Sequence, residues 1–386
     1  MDLLPGDDDP RRIAIRTWII RHPNPTADEL ALAGYVAPHW PEPYGLGADP
    51  VHQLIIDEEL QNAGISRPSD PIGIGWAGPT VLFGGTDEQK KRYLPSMLSG
   101  AEFWCQLFSE PDSGSDLASL RTLAVRDGEE WVVNGQKIWT SGAQYAKYGI
   151  LLARTNVDAP KHKGITYFIC PMDLPGIQIR PIKSMAGAES FNEVFFTDVR
   201  IPCANVVGDV NAGWRLAKVT LGNERVSLST GGVLWGHGPT ALDVIDLVRS
   251  MGGVKNPVTR QQVARLYTEH VLLEIIRMRT LTLRLRGQQP GPESSIRKII
   301  ADEHGQHVMA LARDLIGAHA MLTGNTDEAE KTLHDHAWYS GFMFSQALTI
   351  GGGTGEVQRN ILGERVLGLA HEPDPTAGMP WSQRLP

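Results

Sequence analysis

Cysteine is scarce in this chain: Cys105, Cys170 and Cys203 are the only three in 386 residues, widely spaced and odd in number. Such a set builds neither a disulfide framework nor a zinc site, and a reducing, cytoplasmic setting is the simplest expectation. Long apolar runs are missing as well. No segment approaches the roughly 18 uncharged apolar residues of a membrane span. Residues 1–10 carry three consecutive Asp and no apolar core, so no signal peptide is expected there. Nor is there a Lys/Arg-rich run. The formal charge is −8, which argues against nucleic-acid binding through a basic, phosphate-neutralising face. What the chain does have is length: 386 residues bury a large core and divide, at roughly 150 residues per domain, into two or three units.

The texture changes twice along the sequence. The first hundred residues read as helices broken by turns, among them 85–98, with Thr86 as N-cap and acidic residues in the first turn. From Trp104 to Pro202 the pattern turns to β. Runs at 121–125 and 131–133 flank Asp127-Gly128, and Asn134-Gly135 is expected to turn the chain into 137–140. Further strands are expected at 149–153, 165–170, 177–182 and 194–200, together a small β-sandwich or barrel. After Pro202 a helical period returns. Val263, Leu266, Tyr267, Val271, Ile275, Met278, Leu281 and Leu285 form one stripe over 258–286. Pro292 opens a second long helix with Ile296, Ile299, Ile300, Val308, Leu311, Leu315 and Leu322 as apolar positions. The expectation is an α+β chain: helical at 1–103, β at 104–204, and a helical bundle at 205–386.

Three polar features stand out. Gly73-Ile74-Gly75-Trp76-Ala77-Gly78 has the letters of a dinucleotide fingerprint, but Pro68, Pro71 and Pro79 surround it and no βαβ unit is in sight. A turn approaching a ligand closely is the better reading. The loop 108–116, Phe-Ser-Glu-Pro-Asp-Ser-Gly-Ser-Asp, reads either as a Ser/Asx-stabilised turn or as a small-residue, hydroxyl-lined seat for a flat polar ring. Downstream, 134–142 puts Trp139, Thr140 and Ser141 just after a turn, where the Trp either stacks on an aromatic cofactor or fills the core. The histidines receive plain readings. His334 and His336, two apart, fall on different helix faces. His304 and His307 share one but are taken as helix-surface residues, so no metal site is expected. Cys105 is read as a small packing residue.

These pieces, in this order, resemble the acyl-CoA dehydrogenase family over nearly the whole chain. The segment 85–95, the run from Phe191-Asn192-Glu193-Val194-Phe195-Phe196 to Pro202, and the ending Gly353-Thr354-Gly355-Glu356-Val357-Gln358-Arg359-Asn360-Ile361 all fall where family members have similar stretches. The resemblance implies a helical N-terminal domain, a β middle domain and a C-terminal four-helix bundle, with non-covalent FAD between them and shared across a subunit interface. It further implies that Gln106, Phe108, Ser109, Gly114 and Ser115 form the first flavin loop, with Trp139 and Ser141 beside the isoalloxazine. Arg260 matches an Arg that reaches the neighbouring subunit's FAD, and Thr354 and Glu356 match contacts to the cofactor's other end. A Gly-rich loop, 351–353, opening a helix suits such a ligand. Val263 departs from the pattern, which has an aromatic there, and so does the stretch 314–318, where a Gly-rich motif is degraded.

The base is the largest departure. Many members carry a catalytic Glu two residues before the Thr of the final motif, and here that position is Gly352. A minority branch, typified by isovaleryl and long-chain enzymes, places the Glu before an Arg on an earlier helix, and Glu224-Arg225 matches it. The residues support this independently: Trp214, Ala217, Leu221, Glu224 and Leu228 step by three or four, so Glu224 interrupts an apolar stripe. A Glu is rarely buried unless paired; one on a buried face is destabilised as carboxylate and becomes a better general base. The expected activity is therefore α,β-dehydrogenation of an acyl-CoA thioester, in fatty acid or lipid metabolism, with Glu224 as base and Ser115 and Arg225 near the substrate. An electron-transferring flavoprotein is the expected acceptor, and a homodimer, homotetramer or heterotetramer with a homologous chain the expected assembly. Two other readings stay open: a non-catalytic FAD-binding subunit of a heteromeric dehydrogenase, encouraged by Gly352, and a DNA-binding member of the same fold, which this acidic chain does not favour.

Overall fold

The computed structural model describes residues 4–185, 187–228, 234–235, 238–285, 291–318 and 333–384. Five helices come first: α1 (Pro10–Arg21), α2 (Ala27–Leu32), α3 (Pro50–Asn62), α4 (Gly78–Gly84) and α5 (Asp87–Leu98). Their starts are written locally. Asp9 and Asp49 cap α1 and α3 ahead of a Pro in the first turn, while Thr26 and Thr86 form reciprocal capping boxes with Glu29 and Gln89. The expected helix at 85–98 is thus α5.

The glycine-rich stretch is a single π-turn, Gly73–Ala77, running straight into α4. Two of its glycines pack closely against protein: a Cβ on Gly73 would fall 2.2 Å from Asp70 Oδ2, and one on Gly78 2.2 Å from the Trp40 ring. A Cβ on Gly75, between them, would meet nothing within 4 Å.

The middle of the chain forms one sheet of eight strands: β1 (Trp104–Leu107), β2 (Leu123–Asp127), β3 (Glu130–Ser141), β4 (Tyr148–Arg154), β5 (Ile165–Pro171), β6 (Ile177–Ile182), β7 (Phe191–Pro202) and β8 (Val206–Val207). The order is β6-β7-β3-β2-β4-β5-β8, with β1 added parallel to β4. The sheet folds on itself around Trp131, Val133, Leu151, Phe168, Val194, Phe196 and Ile201, the sandwich interior. β4 is buried along its whole length, because its other face, with Ile150 and Leu152, joins the core of the N-terminal helices. Each such fully buried side chain contributes about 1.5–3 kcal/mol.

Two local expectations fail here. Asn134-Gly135 does not turn the chain: β3 runs through it with a bulge between Val133 and Gly135. The hairpin turn is at Gly128, φ +61°. A bulge suits Gly135, φ +154°, since a Cβ would lie 2.5 Å from Thr122 Oγ1. The strand expected at 121–125 starts only at Leu123, because the amides of Arg121 and Thr122 are taken by Glu110.

The last part is helical: α6 (Gly213–Leu228), α7 (Ala241–Ser250), α8 (Pro257–Leu285), α9 (Ser294–Ile316), α10 (Leu333–Ser345) and α11 (Gly355–Arg365). Helix α9 is central, packed by α7, α8, α10 and α11 around Val308, Met309, Leu311 and Trp338. The long stripe on α8 divides. Leu266 belongs to this core and Val263 packs against it, whereas Tyr267, Val271 and Ile275 face outward. Leu322 lies outside the described residues. Among the described residues no helix is long and apolar enough to cross a membrane.

Candidate active site

Helix α6 carries the residue singled out as base. It packs against the π-turn, α4, β5 and α9, so one of its faces is enclosed by protein. Thr220 on that face is fully buried and meets Thr80 Oγ1 at 2.8 Å and the Tyr167 hydroxyl at 3.0 Å, polar contacts that fix the helix's rotation. One turn on, Glu224 is only 8 % exposed. The Gln106 side-chain amide, from β1, donates to Glu224 Oε2 at 3.2 Å. These two residues, 118 apart in sequence, are brought together by β1 lying beside β4 and α6 lying over β5. The side chain of Arg225 lies outside the described residues.

β1 leads into the loop read as the first flavin segment, and this loop is tied to the Trp139 strand. Ser109 O accepts from Ile138 N at 2.9 Å, and Phe108 O accepts from Lys137 Nζ at 3.0 Å. Lys137 is fully buried and pairs with Glu110 at 2.7 Å. Glu110 also accepts from the amides of Arg121, at 2.5 Å, and Thr122, at 2.9 Å. Burial alone would raise the Glu110 carboxyl, but the Lys137 charge and these hydrogen bonds hold it below the ordinary value. Sequence reading missed this pair. The available signal was a Lys on an inward position of an otherwise alternating strand.

Around this frame Phe108 is buried, edge-on to Tyr167, while Gly114 and Ser115 are exposed. Trp139 sits at a second β3 bulge with φ +61° and is 58 % exposed. Its ring lies edge-on to Phe191 and is otherwise largely open to solvent, so of the two readings left open the core one is set aside. Ser141, half-buried, ends β3 opposite Phe191. Gln106 Oε1 and Thr140 Oγ1 are buried with no hydrogen-bond partner among the described residues.

The remaining sequence candidates belong to α8, to the start of α11 and to the turn before it. Arg260 is exposed on the first turn of α8. Thr354 caps α11, accepting from Val357 N at 3.2 Å, and Glu356 projects outward, 4.0 Å from Arg359. Gly352 has φ +68° and its carbonyl accepts from Gln358 at 3.2 Å. Among the described residues no hydrogen bond or ion pair joins these residues to the sheet.

Other polar groups are clarified. His304 and His307 do share a face, both against Glu269, but His304 is buried rather than on the surface. The side chains of His334 and His336 lie outside the described residues. No metal-binding group occurs among the described residues. Cys105 is buried, and burial pushes its thiol well up. Asp70, also missed from sequence, is buried and accepts from Gly73 N at 2.8 Å and Trp104 N at 3.1 Å, clamping the π-turn to β1; burial raises it to about 6. Two surface hollows of about 360 and 380 Å³ flank Arg67 and are lined by none of the candidate residues.

Residues 12–101 match the acyl-CoA dehydrogenase N-terminal domain, 105–199 the middle domain and 211–367 the C-terminal domain. The chain belongs to the acyl-CoA dehydrogenase family, an oxidoreductase family whose members bind FAD. It is 45 % identical to acyl-CoA dehydrogenase FadE34 of Mycobacterium tuberculosis over 341 residues, covering 88 % of this chain but 45 % of that protein. Acyl-CoA dehydrogenase IpdE1 of the same organism is 38 % identical over 89 % of this chain and 87 % of its own length. The chain thus spans about half of the first relative and most of the second. Among solved structures, the ChsE4-ChsE5 complex from Mycobacterium tuberculosis has TM-score 0.75 at 32 % identity, covering 96 % of this chain and all of that one. A steroid dehydrogenase of this family, Tcur3481-Tcur3483, has TM-score 0.77 at 29 % identity, with 96 % and 100 % covered. The two unpartnered buried oxygens, the exposed Trp139 face and the open space beside Gly114 fit a flat, hydrogen-bonding ring such as the flavin.

Proposed function

We propose that the chain is an FAD-dependent acyl-CoA dehydrogenase that converts an acyl-CoA thioester to the trans-2-enoyl-CoA, with Glu224 as base. The observation that carries this is Glu224 itself: a carboxylate 8 % exposed, held by the Gln106 amide, on the helix that closes over β5. Glu224 takes the proton α to the thioester carbonyl on one of its carboxylate oxygens. Gln106 fixes the direction of that oxygen, and the apolar neighbours on α6, Ala217 and Leu221, exclude water that would compete for it. FAD, when bound, accepts the β-hydrogen as hydride. Gln106, Phe108, Ser109, Gly114, Ser115, Trp139 and Ser141 would hold its ring end; Arg260, Thr354 and Glu356 are proposed for a cofactor shared with a neighbouring subunit. They sit on α8 and at the start of α11, and among the described residues no hydrogen bond or ion pair joins them to the ring group, which supports that sharing. Ser115 and Arg225 are proposed to meet the substrate.

The outward Tyr267, Val271, Leu272 and Ile275 of α8 support assembly with a second acyl-CoA dehydrogenase chain. The ChsE4-ChsE5 relative is a complex of two named chains, which favours a heteromeric partner here, and Tcur3481-Tcur3483 is named as a steroid enzyme, which favours a bulky acyl group. Reoxidation by an electron-transferring flavoprotein completes the proposal. The test is Glu224→Gln. It should keep its yellow flavin yet lose acyl-CoA oxidation by at least about a hundredfold, read as bleaching of the flavin band across straight, branched and steroid-like acyl-CoAs. Retained oxidation would reject Glu224 as base.

Gly352 favours one second reading, that of a non-catalytic FAD-binding subunit. Its φ of +68° suits glycine and disfavours the usual Glu at that place. An inactive purified chain that regains activity only with a homologous partner carrying its own base would favour it.

A further inference from the structure

The segment after α11 does not end on the helical bundle. It returns to the sheet: Pro380 bridges to Pro160, Trp381 N donates to Ala159 O at 2.8 Å, and Ser382 N donates to Val157 O at 2.9 Å. The tail's own bend is fixed by Asp374, which accepts from Thr376 N at 2.9 Å and Arg384 Nη2 at 3.0 Å. Trp381 is thereby seated against Arg154, whose guanidinium carbon lies 4.9 Å from the ring centroid.

Arg154 is fully buried at the end of β4, and a buried guanidinium must spend its N–H groups on acceptors. Its acceptors are loop carbonyls. Nη2 donates to Ala118 O at 2.6 Å and Leu120 O at 3.5 Å, and Nη1 to Lys161 O at 2.9 Å. The carbonyl between the first two, Ser119 O, accepts from the Trp381 indole at 3.4 Å. Three consecutive carbonyls are therefore held by one guanidinium and one indole. Just upstream, Asp116 accepts from Lys161 Nζ at 2.9 Å and from Ser119 Oγ at 2.6 Å. On the far side the loop is anchored by Glu110. Gly114 and Ser115 are exposed between these anchors, as are Pro111 and Asp112, with Ser113 buried among them. The β4–β5 loop that receives the tail also carries His162, whose ring centroid is 5.1 Å from that of Trp214 on α6. One short loop thus joins the tail, the Ser115 segment and the helix of Glu224.

We infer that the C-terminal tail is a strap, and that Trp381, acting through Arg154, is a positioning residue that sets the Ser115 loop for the acyl thioester. The substrate part of this rests on the acyl-CoA dehydrogenase reading; the strap itself does not.

The experiment compares full-length wild type, Trp381→Ala and Trp381→Phe, each with its flavin bound. In Trp381→Ala, amide exchange of peptides covering 114–122 should rise about tenfold while peptides of β5 and α9 stay as in wild type. The KM for an oxidised acyl-CoA should rise about tenfold, more than kcat falls. Trp381→Phe keeps a ring over Arg154 and should recover most of the KM. Unchanged exchange at 114–122 in Trp381→Ala would overturn the strap, as would faster exchange spread evenly over all domains. If exchange responds locally but KM does not, the positioning role is overturned. If the wild type oxidises no acyl-CoA, the parent reading fails, and the exchange comparison alone decides the strap.

Discussion

Replacing Lys137 by Met tests the frame beneath the loop 108–116. Lys137 is fully buried and Glu110 nearly so, at 2.7 Å. Met fills similar space without charge, so the main consequence is a carboxylate left in the sandwich with no cation beside it. Removing one partner of a buried pair costs about 3–5 kcal/mol. Glu110 keeps its bonds from Arg121 N and Thr122 N, which argues for the lower end, about 3 kcal/mol. That is a large share of the ~5–15 kcal/mol that holds a typical domain folded.

The assay is urea unfolding followed by circular dichroism and flavin release, at pH 7 and pH 5. Its sign is set by Glu110. In the wild type that carboxyl is held below 4.5, so its contribution is present above 4.5 and is lost as pH falls through the folded value. In Lys137→Met the lone buried carboxyl prefers its proton, so the variant should regain stability relative to wild type between pH 7 and pH 5. Adding Glu110→Gln should restore part of the loss at pH 7, because no uncompensated charge remains. A Lys137→Met protein that unfolds within about 0.5 kcal/mol of wild type at pH 7, flavin retained, would refute the reasoning.

Asp70, raised to about 6 by burial from 3.8, gives the opposite sign: its stabilisation is complete below 3.8 and is lost as pH rises through about 6, a fall of about 3 kcal/mol. Asp70→Asn should therefore show a shallower decline in urea midpoint from pH 4 to 7, Asp302, also raised to about 6, still supplying a similar slope; an unaltered slope counts against Asp70. Gly135→Ala puts a Cβ 2.5 Å from Thr122 Oγ1 and 2.7 Å from Thr122 Cα. Calorimetry should find it destabilised by about 2 kcal/mol, and a neutral substitution would mean that the bulge is not needed.

What the sequence disclosed is what short-range rules control. Thr86 with Gln89, Thr354 before α11, and the alternation of β6 each declare an element within a few residues. Glu224 was visible for the same reason, as one polar position in a helical stripe. The Asn134-Gly135 reading failed because a local turn signal competed with nine register pairs between β3 and β7, and tertiary pairing overrides such signals. The roles of Asp70, Lys137 and Arg154 were not legible, the inward place of Lys137 on β3 being the one local signal, because what makes each tolerable is remote. Asp70 needs Trp104 N, Lys137 needs Glu110, and Arg154 needs the carbonyls at 118 and 120.

This division bears on how the site is held. A buried charge without partners costs several kcal/mol, so Asp70, Lys137 and Arg154 each report a place where separate stretches of chain must meet. Asp70 joins the π-turn to β1, Lys137 joins β3 to the loop 108–110, and Arg154 joins β4 to 118–120 and to the tail. All three junctions brace the stretch from Trp104 to Leu120, which contains the segment running from Gln106 to Ser115. The residues proposed for the site are mostly exposed or half-buried, Glu224 and Phe108 excepted, whereas the residues that fix their positions are buried and charged. Substitutions at the buried set should therefore alter flavin retention and substrate affinity together, while Glu224→Gln alone removes the proton transfer and leaves both intact.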